Sequence, residues 1–172
     1  MTNVTELQSR QGRTDEKDVS SLNIGTFPDG MLRNVLEFVR PSFVQTAALC
    51  LRDGTEGCEV LLIRTLQRRH WIIPKGWPMQ NSTLAEAAAC EAWEEAGVRG
   101  HVSPEPIGAF TYTKVKKSGL PVQCRPLVFK LKVTEEHDTY PEAGKRTRKW
   151  VTPSVAAEMV HNPDLAALLR SL

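Results

Sequence analysis

The feature of this sequence that most constrains its fold is one helix whose two ends are both marked by capping residues. Thr83, followed three residues later by Glu86, forms a capping box, and Gly97 stands where a helix ends in the left-handed conformation. One side of this helix carries small apolar residues and a single large one: Ala85, Ala88, Ala89, Ala92, Trp93 and Ala96. Such a side suits close packing on a sheet.

Apolar runs before and after this helix predict the strands of that sheet. The strands are predicted at residues 43–51, 58–64, 71–74, 107–113, 122–133 and 147–152. An Asp-Gly turn joins the first two, and the C-terminal tail carries one or two amphipathic helices interrupted at Asn162-Pro163. The order β-β-β-α-β-β-β-α predicts an α/β (α+β) fold with a mixed central sheet and helices on its faces.

The first 40 residues differ in composition from the rest of the chain. They are polar and poor in apolar residues, so they bury too little surface to offset the entropy lost on ordering. We therefore expect a flexible N-terminal extension at residues 1–40, with a short helix or turn at 31–39, and one domain at 41–172. With 41% apolar residues in 172, the chain can build a core of ordinary size.

Composition also bears on location and partners. Neither a membrane-spanning run of about 18 apolar residues nor the apolar core of a signal peptide is expected. The four cysteines are scattered without a Cys-x-x-Cys pair, which favours reduced thiols in a cytoplasmic protein. A net charge of +2 gives no reason to expect a nucleic acid or a membrane as partner.

Three carboxylates lie together on another side of the capped helix. Glu91, Glu94 and Glu95 stand at positions i, i+3 and i+4, so their side chains are neighbours. Each like-charged pair costs an isolated helix about 0.2–0.5 kcal/mol, and the nearby helix C-terminus also disfavours anions. One interpretation is a solvated acidic face. The other is a site for Mg²⁺ or Mn²⁺, which prefer oxygen ligands.

The residues around these carboxylates resemble the Nudix box, G-x5-E-x7-R-E-U-x-E-E-x-G-U, in which U is a bulky apolar residue. Gly76, the three glutamates, Gly97 and Val98 stand at the spacing of that box. The resemblance extends from about Phe43 to the C-terminus and implies a Nudix-type α/β/α sandwich. It also implies a hydrolase that uses Mg²⁺ or Mn²⁺ to cleave a diphosphate linked to a further moiety.

The sequence departs from the box at three positions. Ser82 replaces the first glutamate, Cys90 replaces the arginine, and Ala92 replaces a bulky apolar residue. In the family, that glutamate and arginine are described as a pair that braces the loop against the helix. Because both partners are replaced, no unpaired charge is left behind. We expect activity to survive with a different brace.

The resemblance also implies the role of each site residue. Glu91 and Glu95 bind the metal, and Glu94 is a further ligand or the group that activates water. The backbone carbonyl of Lys75 or Gly76 completes the coordination. Three carboxylates outside the box are alternatives for the attacking base and are otherwise ordinary surface residues: Glu135, Glu136 and Glu142.

Clusters of basic residues are candidates for holding substrate phosphates. The predicted substrate-binding residues are Arg64, Arg68, Arg69, Lys75, Trp77, Arg125, Lys145 and Arg146. Each cluster taken alone fits scattered solubilising charge, whereas clusters that rim one site suit a substrate with many phosphates. Trp77 either stacks on a base or packs onto the core.

Within the Nudix family, the chain is most similar to the diphosphoinositol polyphosphate phosphohydrolases, which also cleave diadenosine polyphosphates. The matching segments are WIIPKG, EEAGVRG, IGAFTY and GKRTRKWV. The glycine-rich loop of that subgroup is replaced here by Lys75-Gly76-Trp77-Pro78, whose stiff Trp-Pro pair changes how the backbone approaches a phosphate. Both substrate classes therefore stay open.

Two other hypotheses remain beside the polyphosphate hydrolase. Ser82 and Cys90 suggest a catalytically impaired Nudix domain that binds a nucleotide or an inositol phosphate without turnover. The basic clusters suggest 5′-end RNA processing, but only 6% of the residues are aromatic, which gives little support for base stacking. The expected partner is a polyphosphorylated small molecule; the sequence does not indicate an oligomeric state.

Overall fold

The structure, a computed structural model, describes residues 42–55, 57–116 and 119–172. Its strands are β1 (Phe43–Gly54), β2 (Gly57–Arg64), β3 (Trp71–Ile72), β4 (Lys75–Gly76), β5 (Val98–Ala109), β6 (Tyr112–Val115), β7 (Pro121–Glu136) and β8 (Arg148–Val151). Its helices are α1 (Leu84–Ala96), α2 (Pro153–Met159) and α3 (Pro163–Arg170). The predicted extension at 1–40 and the helix at 31–39 lie outside the described residues.

The strands form one mixed sheet with the order β3-β2-β1-β7-β5. In addition, β4 pairs with β1, β6 with β7, and β8 with β2. Strands β1 and β7 are parallel, from Phe43 beside Cys124 to Leu51 beside Lys132, and the other described pairings are antiparallel. The predicted mixed sheet is confirmed.

Helices cover both faces of the sheet. On one face the predicted alanine side of α1 packs against a buried cluster that includes Leu61, Phe129 and Leu131. On the other face α2 and α3 pack against a second cluster that includes Leu49 and Leu62. The α/β/α sandwich expected from the sequence is therefore confirmed.

The predicted elements with local end signals match the structure. The capping box at Thr83 is formed, and Gly97 ends α1 in the left-handed conformation with φ = 68°. The β1–β2 hairpin is also formed. The tail holds two helices, and the Asn162 side chain accepts a hydrogen bond from the backbone N–H of Leu165 to cap the second.

Two strand predictions were wrong in extent. The strand predicted at 71–74 stops at Ile72, and a separate short strand follows at Lys75–Gly76. The strand predicted at 107–113 is two strands, of which β5 begins at Val98. Pro104 and Pro106 lie within β5, which is an edge strand with register shifts, where proline is tolerated.

Two expectations from composition can be compared with the described residues. All four cysteines are free in the structure. In the part of the chain that the structure describes, no helix is both long enough and apolar enough to span a bilayer.

Candidate active site

Helix α1 is fixed at both ends, which sets the position of its three glutamates. At its start, the Thr83 hydroxyl accepts a hydrogen bond from the Glu86 backbone N–H (3.2 Å), and Thr46 Oγ1 in β1 donates to the Leu84 carbonyl (2.6 Å). At its end, Arg148 Nη1 donates to the Ala96 carbonyl (2.9 Å). A cation at this terminus also complements the helix dipole.

The short strand β4 brings the glycine loop against the glutamates. Its register with β1 places Gly76 beside Thr46. The backbone N–H of Lys75 donates to Glu95 Oε2 (3.0 Å). The Glu91 carboxylate lies so close to Gly76 that a Cβ at this glycine would stand 1.7 Å from Glu91 Oε1. A side chain at position 76 would therefore require the Glu91 carboxylate or the loop to shift.

A second contact holds Glu95 from a later segment of the chain, just before β8. Arg146 Nη2 donates to Glu95 Oε1 (2.5 Å), and Arg146 Nε donates to Glu142. The Arg146 and Glu95 side chains are 10% and 8% exposed, so the ion pair is largely screened from water. The Glu142 backbone N–H donates to the Glu94 carbonyl (3.1 Å). Arg146 thus ties the segment before β8 to helix α1.

The charges of this cluster are strongly coupled. Burial raises the pKa of Glu91 to about 7, and the neighbouring charges of Glu95 and Glu94 add to the rise. Burial also raises the pKa of Glu95, although Lys75 and Arg146 oppose that rise. Burial lowers the pKa of the Lys75 ammonium group; Glu95 opposes this, whereas Arg146 and then Lys114 reinforce it. Neither Glu91, which is half-buried, nor Glu94, which is exposed, forms an ion pair with another described residue.

The residues present fit a hard divalent cation. Glu91 and Glu95 supply carboxylate oxygens next to the backbone of the glycine loop, and added positive charge would offset the repulsion that raises the Glu91 pKa. Within residues 42–55, 57–116 and 119–172, no three His, Cys, Asp or Glu side chains form a ready-made metal cage. Mg²⁺ is usually bound by one or two carboxylates together with water and substrate phosphates, so it needs no such cage.

The predicted site residues do not all come together. Glu91, Glu95, Lys75, Gly76 and Arg146 form one cluster. Glu94 is exposed at its edge and accepts a hydrogen bond from Cys90 Sγ (3.6 Å). Because an S–H donor is weak, this contact is no substitute for a glutamate–arginine pair. The glycine loop contacts the helix through the Lys75 N–H and Glu95, and Arg146 holds Glu95 from the segment before β8.

The other predicted substrate-binding residues are more dispersed. Arg64 stacks on Trp71, with 4.9 Å from its guanidinium carbon to the ring centroid. Its buried Nε has no hydrogen-bond partner among the described residues. Four basic side chains are exposed and form no ion pair with another described residue: Arg68, Arg69, Arg125 and Lys145. Their substrate-binding roles stay predictions.

The alternatives for the attacking base occupy different places. Glu135 pairs with His137, and Glu136 pairs with Arg52. Glu142 is held by Arg146, and its charge acts on both Glu91 and Glu95. Of the three, Glu142 is the one joined to the candidate site.

Sequence analysis missed a polar contact that borders the site. Tyr112 donates a hydrogen bond from its hydroxyl to Gln45 Oε1 (2.6 Å), and Lys75 Nζ lies 5.5 Å from the centre of the Tyr112 ring. Gln45 is buried, at 2% exposure. Since Gln45 and Tyr112 are 67 residues apart, no local spacing signals their contact.

Comparison with solved structures supports the fold. A crystal structure of the C. elegans Ap4A hydrolase matches with a TM-score of 0.54 and 21% identity, covering 76% of this chain and 95% of that one. The NUDIX domain of Shewanella oneidensis NrtR, solved with ADP ribose, matches with a TM-score of 0.55 and 11% identity, covering 85% and 100%. At these identities the likeness shows the fold alone.

Comparison of sequences identifies the family. "Nudix hydrolase 12, mitochondrial" of Arabidopsis thaliana is 37% identical over 111 residues, which are 62% of this chain and 54% of that protein. Mus musculus diphosphoinositol polyphosphate phosphohydrolase 3-alpha is 30% identical over 133 residues, 74% of this chain and 76% of that protein. The chain spans about half the length of the plant relatives that it matches. A family model described as NUDIX domain matches residues 42–172, and the chain belongs to the Nudix family.

Proposed function

We propose that this protein is a divalent-metal-dependent hydrolase that cleaves a diphosphate linkage in a polyphosphorylated small molecule. The observation that carries the proposal is the half-buried Glu91 carboxylate, which packs against Gly76 beside Glu95 and forms no ion pair with another residue that the structure describes. A charge kept in that position costs stability, which a bound cation and its substrate would offset. Membership of a family whose curated members are named hydrolases supports the same activity.

The residues divide this work between them. Glu91, Glu95 and the carbonyl of Lys75 or Gly76 would hold Mg²⁺ or Mn²⁺. When bound, such an ion acidifies a water molecule and neutralises charge on the diphosphate. Lys75, whose N–H holds Glu95, also places its ammonium group at the cluster, where it can attract substrate phosphates. Glu94 at the exposed edge and Glu142 beside Arg146 are the candidates for accepting the proton of the attacking water.

Diphosphoinositol polyphosphates and diadenosine polyphosphates are the proposed substrates. The mouse relative is named for the first class, and the C. elegans neighbour is named an Ap4A hydrolase. The NrtR domain, bound to ADP ribose, shows that this fold accommodates a nucleotide diphosphate. We propose a cytoplasmic location because all four cysteines are free, although several plant relatives are named mitochondrial.

Substitution of Glu91 by glutamine tests the role of the carboxylates. Glu91→Gln keeps the shape of the side chain and removes its charge, so metal-dependent phosphate release should fall at least about 100-fold. Release is measured with Mg²⁺ and Mn²⁺ on both substrate classes, and chelation by EDTA should abolish it. Glu158→Gln, the same change on an exposed face of α2, is the control. Full activity of Glu91→Gln, or of the chelated protein, would rule out the proposal.

A catalytically impaired domain that binds its ligand without turnover is the second candidate. It is favoured by Ser82, which is exposed, and by Cys90, whose thiol makes a weak contact with Glu94 in place of an arginine pair. Calorimetry that detects binding of a nucleotide or an inositol phosphate, combined with no turnover under either metal, would select it. Any metal-dependent turnover that Glu91→Gln removes would exclude it.

A further inference from the structure

Two large aromatic side chains lie exposed beside each other next to the glycine loop. Phe43 at the start of β1 and Trp77 directly after β4 meet edge to face, with ring centroids 6.1 Å apart and an interplanar angle of 87°. They are 39% and 42% exposed. Trp77 was predicted either to stack on a base or to pack onto the core; a side chain this exposed is not packed into the core. A pair of large exposed apolar rings is a common sign of a binding surface.

Two lysines lie over these rings. Lys114 Nζ lies 5.3 Å from the centre of the Trp77 ring, and Lys116 Nζ lies 4.7 Å from the centre of the Phe43 ring. A lysine carries its charge on a flexible four-carbon stem, so it can leave a ring face for a phosphate without moving the backbone. We call Phe43, Trp77, Lys114 and Lys116 the aromatic–lysine patch.

The sheet places this patch beside the carboxylate cluster. Phe43 pairs with Cys124 on β7, which pairs with Tyr112 on β6, and Tyr112 is the residue under the Lys75 ammonium group. Trp77 follows Gly76, the glycine against which Glu91 packs. The charge of Lys114 also acts on Lys75. A ligand with its phosphates at Lys75 can therefore reach the patch with its next chemical group.

We infer that the aromatic–lysine patch binds the nucleobase of a nucleoside polyphosphate, which stacks on Trp77 while Lys114 and Lys116 hold the adjoining phosphates. The inference rests on the proposed function and names its substrate class. Every nucleobase has a flat π face on which an indole ring can stack, irrespective of the hydrogen-bonding groups that the base carries. A diphosphoinositol polyphosphate has no such face, and its many phosphates would be matched by cations rather than by two exposed aromatic rings. The patch thus favours the dinucleoside class over the inositol class.

Calorimetric binding to the full chain in magnesium-free buffer with EDTA tests the inference without turnover. The probes are ATP, inorganic tripolyphosphate and inositol hexakisphosphate. We expect ATP to bind more tightly than tripolyphosphate, which has the same number of phosphates but no base. Trp77→Ala should weaken ATP binding about 10- to 100-fold and leave the other two affinities unchanged. Trp77→Phe, which keeps a stacking face, should restore most of the lost affinity.

The controls separate stacking from a general change in the protein. Leu66→Ala removes a side chain that is 50% exposed outside the patch and should change none of the three affinities. Equal affinity of the unsubstituted protein for ATP and tripolyphosphate would overturn the inference. So would a Trp77→Ala variant that retains its ATP affinity or that loses affinity for all three probes alike. Failure of the proposed function is seen separately, as turnover that survives in Glu91→Gln.

Discussion

At the scale of single residues, the candidate site contains a glycine that belongs to the Nudix box and an arginine that lies outside it. Gly76 is part of the Nudix box, and its spacing to the three glutamates identified it from the sequence. Arg146 belongs to a basic run 51 residues beyond Glu95, and only the structure shows that it is the partner of that glutamate. The chain has no glutamate–arginine pair at positions 82 and 90, and its buried ion pair at the site comes from a different part of the sequence.

Adding one methyl group at Gly76 should displace Glu91. In Gly76→Ala the new Cβ would stand 1.7 Å from Glu91 Oε1, so the carboxylate or the loop must shift. We expect kcat/KM to fall about 100-fold, because a displacement near 1 Å in a catalytic group has about that effect. Gly57→Ala is the control: it adds strain at φ = 116° but meets no atom within 4 Å and should cost stability rather than activity. Unchanged kcat/KM in Gly76→Ala would contradict this geometry.

Removing Arg146 should destabilise the protein. Arg146→Ala leaves the buried Glu95 carboxylate without its cation, and breaking such a pair costs about 3 kcal/mol of unfolding free energy. Urea unfolding measures the loss. Arg146→Lys keeps the charge without the two-pronged geometry and should lose less. If Arg146→Ala costs under about 0.5 kcal/mol of unfolding free energy, the contact does not tie the segment before β8 to helix α1 as described above.

At the scale of helices and strands, the sequence predicted an element correctly where residues close together in sequence mark its ends. Both ends of α1 were predicted because a capping box and a left-handed glycine involve residues within a few positions of each other. The part of strand β5 before residue 107 was missed; it contains two prolines, which a strand tolerates at a sheet edge, and edge position is a property of the assembled sheet. The Gln45–Tyr112 contact arises from three neighbouring strands and has no local signal either.

The capping box of α1 contributes to the free energy of unfolding, and part of this contribution depends on pH. Thr83→Ala should cost about 1 kcal/mol of unfolding free energy, the usual value for a lost N-cap. Hydrogen bonds from the backbone N–H and then the hydroxyl of Thr83 lower the pKa of Glu86. A lowered folded-state pKa gives stability that is complete above the ordinary carboxyl value of about 4.5 and is lost as the pH falls through the lowered pKa.

The stability deficit of Thr83→Ala should therefore shrink in acid, where Glu86 loses the charge that accepts a hydrogen bond from the Thr83 hydroxyl. Unfolding free energies of the parent chain and Thr83→Ala, compared by urea titration from pH 7 downwards, should differ most at neutral pH and least below the lowered Glu86 pKa. Asn162→Ala removes the cap of α3, which does not involve a charged side chain. Its loss of unfolding free energy should change less with pH. A Thr83→Ala deficit that grows in acid would refute the capping role of Glu86.

At the scale of the whole molecule, the division of the chain near residue 40 stays a prediction. The family model covers residues 42–172, and the described core is built within this range. A chain that begins at residue 41 should therefore keep the melting temperature and the metal-dependent turnover of the full protein. Thermal unfolding and phosphate release, measured side by side, test this. A fall in melting temperature of more than about 4 °C would show a contribution of about 1 kcal/mol from the first 40 residues.

The parallel pairing of β1 with β7 has a consequence for how the protein is made. Phe43 lies beside Cys124, so some eighty residues must leave the ribosome before the middle of the sheet can close. Arg146 follows later still, and Glu95 gains its buried partner only then. During synthesis the three acidic groups of α1 thus precede Arg146, so the Glu95 carboxylate is made 51 residues before the cation that pairs with it.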